Sequence, residues 1–187
     1  MRLIPKRYII YKFLNSSFTG LSIGSIFTIY APLKPSIYPI GGILLAIAMI
    51  IIAKFYEKIM NVRYFFIISM FVEFVILFLV IFFLIHPYTY MTALLIYAGY
   101  QVTFAFGSYL VRAETLIVRK KRLLTLVDVY KQSGYLAGLL ISFIFYKILE
   151  YKFGIKTNEE KVYDLHFLLL IVEISIIYAL YRSFRFK

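Results

Sequence analysis

Apolar residues occur along the chain in six long runs, which short polar or proline-containing segments separate. A helix needs about 20 mostly apolar residues to cross about 30 Å of hydrocarbon, and the runs are near that length. The pattern therefore predicts transmembrane helices at residues 8–31, 40–55, 64–85, 88–111, 133–149 and 165–181. Because proline disfavours helix, Pro32, Pro35 and Pro39 mark the first connection and Pro87 marks the third. We expect an all-α, polytopic membrane helix bundle that forms one domain over residues 1–187.

The composition excludes several classes of protein. Of the 187 residues 63% are hydrophobic, and the mean hydropathy is +0.86. A soluble domain averages about half apolar residues, so neither a water-soluble globule nor a disordered chain fits this composition. The chain has no cysteine, which excludes a disulfide framework, a thiolate metal site and a cysteine nucleophile.

The positive charge predicts how the chain lies in its membrane. If the first residues are cytoplasmic, 16 of the 21 Lys and Arg lie in inner segments and five in outer loops. Cytoplasmic loops of membrane proteins carry this excess, so both termini should be cytoplasmic in a multi-pass protein of the cell inner (cytoplasmic) membrane. Basic residues at the ends of apolar runs meet lipid headgroups, so we expect the lipid bilayer, and no nucleic acid, as their partner.

Small residues recur at spacings of four on three of the predicted helices. In lipid, helices associate through close approach of their backbones, which small residues permit. These stripes therefore predict helix packing. Their glycines are Gly20 and Gly24 on the first predicted helix, Gly99 and Gly107 on the fourth, and Gly134 and Gly138 on the fifth.

Polar side chains follow one face of the fourth predicted helix, and the first predicted helix offers counterparts. A polar face in a membrane must meet other polar groups or water. Two interpretations stay open: a hydrated substrate path between the two helices, or interhelical hydrogen bonding alone. The candidate residues for the path are Asn15, Thr19, Tyr97, Gln101, Ser108 and Arg112.

Two carboxylic acids lie near the middle of predicted spans. They are Glu73 on the third helix and Glu173 on the sixth, and each follows a valine. An ionised carboxylate at that depth costs several kcal/mol, so each acid should be protonated or paired with a cation. Such a group is either a proton-coupling element or a neutral acid that bonds to a neighbouring helix. The shared Val-Glu step is a trace of internal repetition between helices one to three and four to six.

Motifs of catalysis and metal binding are absent from the sequence. His86 and His166 lie at the outer ends of predicted spans without the spacing of a metal site. The sequence has no phosphate-binding lysine loop and no nucleophile elbow. We therefore expect no enzyme activity, no metal site and no cofactor.

The loop after the second predicted helix carries a family resemblance. Its residues 53–63, Ala-Lys-Phe-Tyr-Glu-Lys-Ile-Met-Asn-Val-Arg, resemble the signature Gly-x-x-x-Asp-Arg-x-Gly-x-Arg-Arg of the major facilitator superfamily, with alanine and methionine in place of its glycines. Glu57, Lys58 and Arg63 stand at its charged positions. The order of Arg112-Ala-Glu114, a basic segment, and a Gly134-x-x-x-Gly138 helix also resembles the fourth and fifth facilitator helices.

The resemblance covers one six-helix half of a twelve-helix transporter. It implies that helices one and four line a central cavity, that Arg112 lies on the cavity side or at its inner gate, and that Glu57 braces a gate. Alternating access moves one bundle against another, so the half requires a homodimer or a second membrane subunit. The resulting hypothesis is a half-size secondary transporter for an unknown small solute. The alternative is a substrate-binding, accessory or assembly subunit of a larger membrane complex without transport of its own.

Overall fold

The computed structural model describes residues 1–186 of the chain and is all-helical apart from one pair of two-residue strands. The helices are α1 (Pro5–Ser22), α2 (Ser25–Tyr30), α3 (Ile37–Lys54), α4 (Tyr56–Ile59), α5 (Val62–Ile85), α6 (Tyr90–Ala105), α7 (Gly107–Val118), α8 (Lys121–Lys152) and α9 (Asn158–Arg182). The strands β1 (Arg2–Leu3) and β2 (Phe184–Arg185) pair antiparallel. The expected all-α class is confirmed.

Five helical segments are long and apolar enough to cross a membrane within the described residues. They are α3, α5, the combined α6 and α7, α8 and α9. The first predicted span is more polar, and it is divided into α1 and α2 at Ile23 and Gly24. The chain is therefore a multi-pass membrane protein with five candidate spans, to which α1 and α2 together add a sixth helical run of different character.

The segment between the fourth and fifth predicted helices differs from its expected form. The sequence predicts one helix that ends at residue 111 and a next helix that begins at residue 133. In the structure, α7 and α8 leave only Arg119 and Lys120 between them. Arg119 has a positive φ of 54°, which interrupts the helix. Lys and Arg are good helix formers, and Leu123, Leu124 and Val127 bury one face of α8 at helical spacing.

Glycines set the closest contact in the bundle, which lies between α1 and α8. A Cβ atom at Gly134 would overlap the Phe13 carbonyl, and one at Gly138 would overlap the Ser17 carbonyl. Gly20 lies against the α8 backbone in the same way. These three glycines therefore let two helix backbones touch, and we call them the glycine seam.

The other three packing glycines of the sequence analysis have different surroundings. Gly99 on α6 faces the Leu79 side chain of α5, so it does lie at a helix contact. A Cβ at Gly107 would meet nothing within 4 Å, and one at Gly24 would meet only the edge of Tyr146 at 4.0 Å. Gly24 precedes α2 and Gly107 begins α7, so both glycines lie where a helix is interrupted rather than where helices cross.

The helix contacts divide the bundle into two equivalent groups. The first group holds α1, α2, α3 and α5, and the second holds α6, α7, α8 and α9. The packing of α1 on α8 and α9 corresponds to the packing of α6 on α3 and α5, and α5 packs on α9 at the centre. Exchanging the groups therefore preserves the pattern of contacts, and each group opens with a helix that is interrupted next to a glycine.

Candidate functional site

A pair of buried acids lies where α5 and α9 pack together. Glu73 is 1% exposed and Glu173 is 0% exposed. The helical period places each acid in a buried face: Ser69, Val72 and Val80 share that of Glu73, and α9 buries a stripe at spacings of three and four around Glu173. Because α5 and α9 are equivalent helices of the two groups, the acids occupy corresponding places. We call them the carboxyl pair.

The polar partners of the carboxyl pair come from α1. The Tyr11 hydroxyl donates to Glu73 Oε1 at 2.6 Å, and Asn15 Nδ2 donates to the same oxygen at 3.0 Å. Tyr11 and Asn15 are four residues apart, so both side chains leave α1 on one face. Glu173 is buried on α9 where that helix packs on α5, and no hydrogen bond among the described residues joins it to Glu73. The other three oxygens of the pair accept no hydrogen bond from the described residues.

The geometry restricts the charge of the carboxyl pair. Two adjacent ionised carboxylates repel each other, and each costs about 2.5–3.5 kcal/mol at the centre of a membrane. None of the ion pairs among residues 1–186 includes Glu73 or Glu173. The pair therefore holds at least one proton.

A second polar cluster lies between α1 and α7. It is on the side of the carboxyl pair that the predicted topology makes cytoplasmic. Lys12 Nζ and Glu114 Oε2 form an ion pair at 3.2 Å, and their side chains are 15% and 12% exposed. The Tyr8 hydroxyl donates to the other Glu114 oxygen at 2.7 Å. A pocket of about 130 Å³ is lined by this cluster, Ser69 and Glu73. Its volume is sufficient for several water molecules, so water has a route to Glu73.

Polar groups continue on the opposite side of the carboxyl pair. Tyr100 on α6 and Ser22 on α1 contribute hydroxyl groups there. His166 lies two turns from Glu173 on α9, and with Ser22, Ser25 and Tyr100 it lines a cavity of about 10 Å³, close to the volume that one water needs. His166 Nδ1 is 2.7 Å from the Val162 carbonyl, which can only accept, so Nδ1 carries the hydrogen and Nε2 is an acceptor.

These groups follow one another through the bundle, although the hydrogen bonds among the described residues do not join all of them, and we call the set the polar path. The path begins at the ion pair, passes the carboxyl pair and ends at the imidazole. Its members are Tyr8, Tyr11, Lys12, Asn15, Ser22, Glu73, Tyr100, Glu114, His166 and Glu173. Such a chain of donors and acceptors can conduct a proton between its members if water bridges the gaps.

The six candidate residues for a substrate path do not lie together. Asn15 is on the polar path, whereas Thr19, Ser108 and Arg112 are exposed on the surface of α1 and α7. Gln101 Oε1 is buried whereas Ser108 is exposed, so these two side chains have different surroundings on either side of the interruption after Phe106. The structure therefore does not bring the six residues together at one place, and a path lined by them stays a prediction.

The remaining two candidates lie near α3. The Tyr97 hydroxyl donates to the Tyr38 carbonyl at 3.0 Å, and its ring packs against Tyr30 and Tyr38. Gln101 lines an apolar groove of about 540 Å³ between α3 and α6. Gln101 Oε1 is buried and accepts no hydrogen bond from the described residues. Both side chains thus serve the contact between α3 and α6.

The residues that resemble the facilitator signature are exposed at the connection between α3 and α5. Glu57 and Lys58 are on α4, and Arg63 is in the first turn of α5. None of the three forms an ion pair with a described residue. The ordered feature of this connection is Asn61, whose side chain accepts from the Arg63 and Tyr64 amides at 3.1 Å and so caps α5.

Sequence reasoning missed half of the polar path. Tyr8, Tyr11, Lys12 and Asn15 follow the i, i+3, i+4, i+7 spacing of one helix face, and this signal was present in the sequence. Glu114 was noticed only as part of a family resemblance. Tyr100 and His166 carry no signal of their own, because only the packing of α6 on α5 and α9 brings them to the acids.

Residues 1–186 contain no group of three or more His, Cys, Asp or Glu that could hold a metal ion. No known protein family, no curated protein and no solved structure matches the chain.

Proposed function

We propose that the chain is a half-size, proton-coupled secondary transporter for a small solute, which works as a homodimer or with a second membrane subunit. The observation that carries this proposal is the carboxyl pair. Coupling of transport to a proton gradient requires a proton that is held within the membrane helix bundle and that water can reach from one side. The carboxyl pair and the pocket of about 130 Å³ beside it meet this requirement. A purely structural polar contact would need no pocket.

The equivalence of the two helix groups supports the proposal. Internal repeats of inverted topology are common in secondary transporters, whose sites lie near the midplane where the repeats meet. Glu73 and Glu173 are at the contact between the two groups. Helices interrupted within the membrane are also typical of these proteins, and the interruptions at Gly24 and Gly107 occupy corresponding places.

The pairing of β1 with β2 supports six crossings. Residues 2–3 and 184–185 are hydrogen bonded, so they lie on one side of the membrane and the chain crosses it an even number of times. The five apolar spans then require a sixth, which α1 and α2 supply. The excess of Lys and Arg supports a cytoplasmic position for both ends at the inner membrane.

The exposed polar residues support a partner half of the major facilitator type. Thr19 on α1 and Ser108, Arg112 and Thr115 on α7 lie at the surface of helices that cross hydrocarbon. Polar groups at such a surface face a partner or a water-filled cavity. A second copy placed against them would close that cavity and supply the bundle against which the first one moves.

A second candidate function is an accessory or substrate-binding subunit of a larger complex. The observation that favours it is the exposed α3, in which only Gly41 is buried, together with the apolar groove beside it. An apolar surface of this kind can dock a larger assembly. This candidate requires no proton movement through the carboxyl pair.

The experiment is a solute screen on the purified chain in proteoliposomes, with a pH-sensitive dye inside and concentration jumps of small acids, amines, sugars and amino acids outside. We expect one class to move protons, and Glu173→Gln to reduce the initial rate at least ~10-fold by removing the titrating group. Glu150→Gln, at an exposed acid in the last turn of α8, is the matched control and should retain the rate.

Two results would count against the proposal. Solute binding without proton movement in the unsubstituted chain would favour the subunit function. Equal rates in the Glu173→Gln and Glu150→Gln variants would reduce the carboxyl pair to a packing contact. Single cysteines at Lys58 and Lys156, introduced into this cysteine-free chain, test the topology through their reaction with an impermeant maleimide in intact cells. The proposal requires labelling at position 156 only.

A further inference from the structure

The two short strands bring basic residues from opposite ends of the described chain together. Arg2 on β1 lies directly opposite Arg185 on β2, and the Ile4 amide donates to the Ser183 carbonyl at 2.8 Å. The start of α1 and the end of α9 are therefore held side by side. Like charges directly opposite each other destabilise a strand pair, so this contact is unfavourable without a compensating anion.

A pocket of about 440 Å³ opens at this junction. Its charged lining consists of Arg7, Arg182 and Arg185, and its apolar walls include Tyr181, Phe184 and Phe186. The Tyr181 and Phe186 rings stack with centroids 5.3 Å apart. Arg7 Nη1 donates to the Arg182 carbonyl at 3.3 Å, which fixes one guanidinium at the rim. We call this site the arginine pocket.

The described residues that line the arginine pocket supply positive charge and no carboxylate. None of the acids among the described residues lines the pocket, and no ion pair among those residues includes an arginine. Guanidinium groups are planar, remain charged, and present paired N–H donors that match the oxygens of a phosphate. Apart from the bond from Arg7 to the Arg182 carbonyl, the three guanidinium groups donate to no described residue.

We propose that the arginine pocket binds a phosphate group, from the headgroup of an anionic phospholipid or from a soluble phosphorylated molecule. The phosphate oxygens accept from the guanidinium groups of Arg182 and Arg185, and the aromatic walls contact the part of the ligand next to the phosphate. The bound anion removes the repulsion between Arg2 and Arg185 and so stabilises the junction of β1 and β2. The site does not depend on the proposed transport function.

The test compares phosphate sources on the purified full chain. Native mass spectrometry counts phosphatidylglycerol and, as the uncharged control, phosphatidylcholine retained after mixing. Thermal unfolding in detergent, followed by circular dichroism, is measured with inorganic phosphate against chloride at equal ionic strength. Retention of phosphatidylglycerol alone identifies a lipid, and stabilisation by inorganic phosphate identifies a soluble ligand. Either result supports the site, and a response to neither overturns it.

Variants separate the arginine pocket from general positive charge. Arg182→Gln with Arg185→Gln should weaken binding of the phosphate source at least ~10-fold, because it removes two charged donors that bond the phosphate oxygens. Arg119→Gln with Arg122→Gln removes the same charge from the exposed segment between α7 and α8 and should weaken binding less than ~2-fold. The variant with Arg182→Lys and Arg185→Lys keeps the charge and should lose binding several-fold. Equal losses in both glutamine pairs would overturn the proposal.

Discussion

The contact of α1 with α8 and the contact of α3 with α6 are equivalent in the two helix groups, yet they are packed differently. In the first, the glycine seam brings two backbones together. In the second, Gly41 receives the Tyr97 ring and hydroxyl, and the apolar groove of about 540 Å³ remains open beside it. A tyrosine thus keeps apart two helices that glycines hold together in the equivalent place.

The two sides of the bundle therefore differ in packing. The side with α1 and α8 is closely packed, whereas the side with α3 and α6 leaves an open groove. α1 contributes a closed seam and half of the polar path, so its position must be precise for Tyr11 and Asn15 to reach Glu73. α3 buries only Gly41 and leaves its apolar residues exposed. We infer that the α1 and α8 side carries the chemistry, while the α3 side is available to lipid or to another membrane protein.

The largest expected effect comes from opening the glycine seam. In Gly138→Leu the new side chain would overlap the Ser17 carbonyl and the α1 backbone, which cannot move without displacing Tyr11 and Asn15. We expect a loss of at least ~3 kcal/mol in the free energy of unfolding, measured by SDS titration in mixed micelles. Gly42→Leu, where nothing lies within 4 Å, is the control and should unfold as the unsubstituted chain does. Similar losses in both would show that the seam is not tight.

A smaller effect is expected from the ion pair that fixes α1 to α7. Lys12→Met leaves the Glu114 carboxylate partly buried, with only the Tyr8 hydroxyl as donor. We expect a loss of about 2 kcal/mol by the same titration, because an unpaired charge keeps its desolvation cost. Glu150→Gln removes an exposed pair and should change stability by less than ~0.5 kcal/mol. If the two variants lost the same amount, α1 would be positioned by packing alone.

The smallest effect is expected on the α3 side. In Gly41→Ala the added methyl group meets the far end of the Tyr97 side chain, which can shift into the groove. We expect a loss of about 1 kcal/mol by SDS titration. Adding Tyr97→Ala should remove that loss, so that the double variant is no less stable than Tyr97→Ala alone. A loss as large as that of Gly138→Leu would remove the distinction between the two contacts.

The helices were predictable from the sequence because long apolar runs have one stable form in a membrane. α3, α5 and α9 lie within a few residues of the predicted spans, apart from the start of α9 at Asn158. The interruptions next to Gly24 and Gly107 were not predictable, since hydropathy does not distinguish a continuous helix from two shorter ones. The charged residues between positions 112 and 131 predict a loop, but charged residues also form helices, and α7 and α8 cover most of this segment.

The buried acids were predictable because a carboxylate in an apolar run stands out in any sequence. Their pairing was not, since it depends on how α5 packs against α9. The exposure of Ser108 and Arg112 was not predictable either, because it depends on which face of α7 packs against α5.

The most direct test of the central claim is infrared spectroscopy of the purified chain in lipid bilayers at neutral pH, before and after transfer into deuterated water. The carboxyl pair predicts the absorption of a protonated carboxylic acid that is lost in the variant with Glu73→Gln and Glu173→Gln. It also predicts that deuterium shifts this absorption promptly, because the pocket of about 130 Å³ admits water to Glu73. An unsubstituted chain without that absorption, or with one that does not exchange, would contradict a transferable proton at the pair.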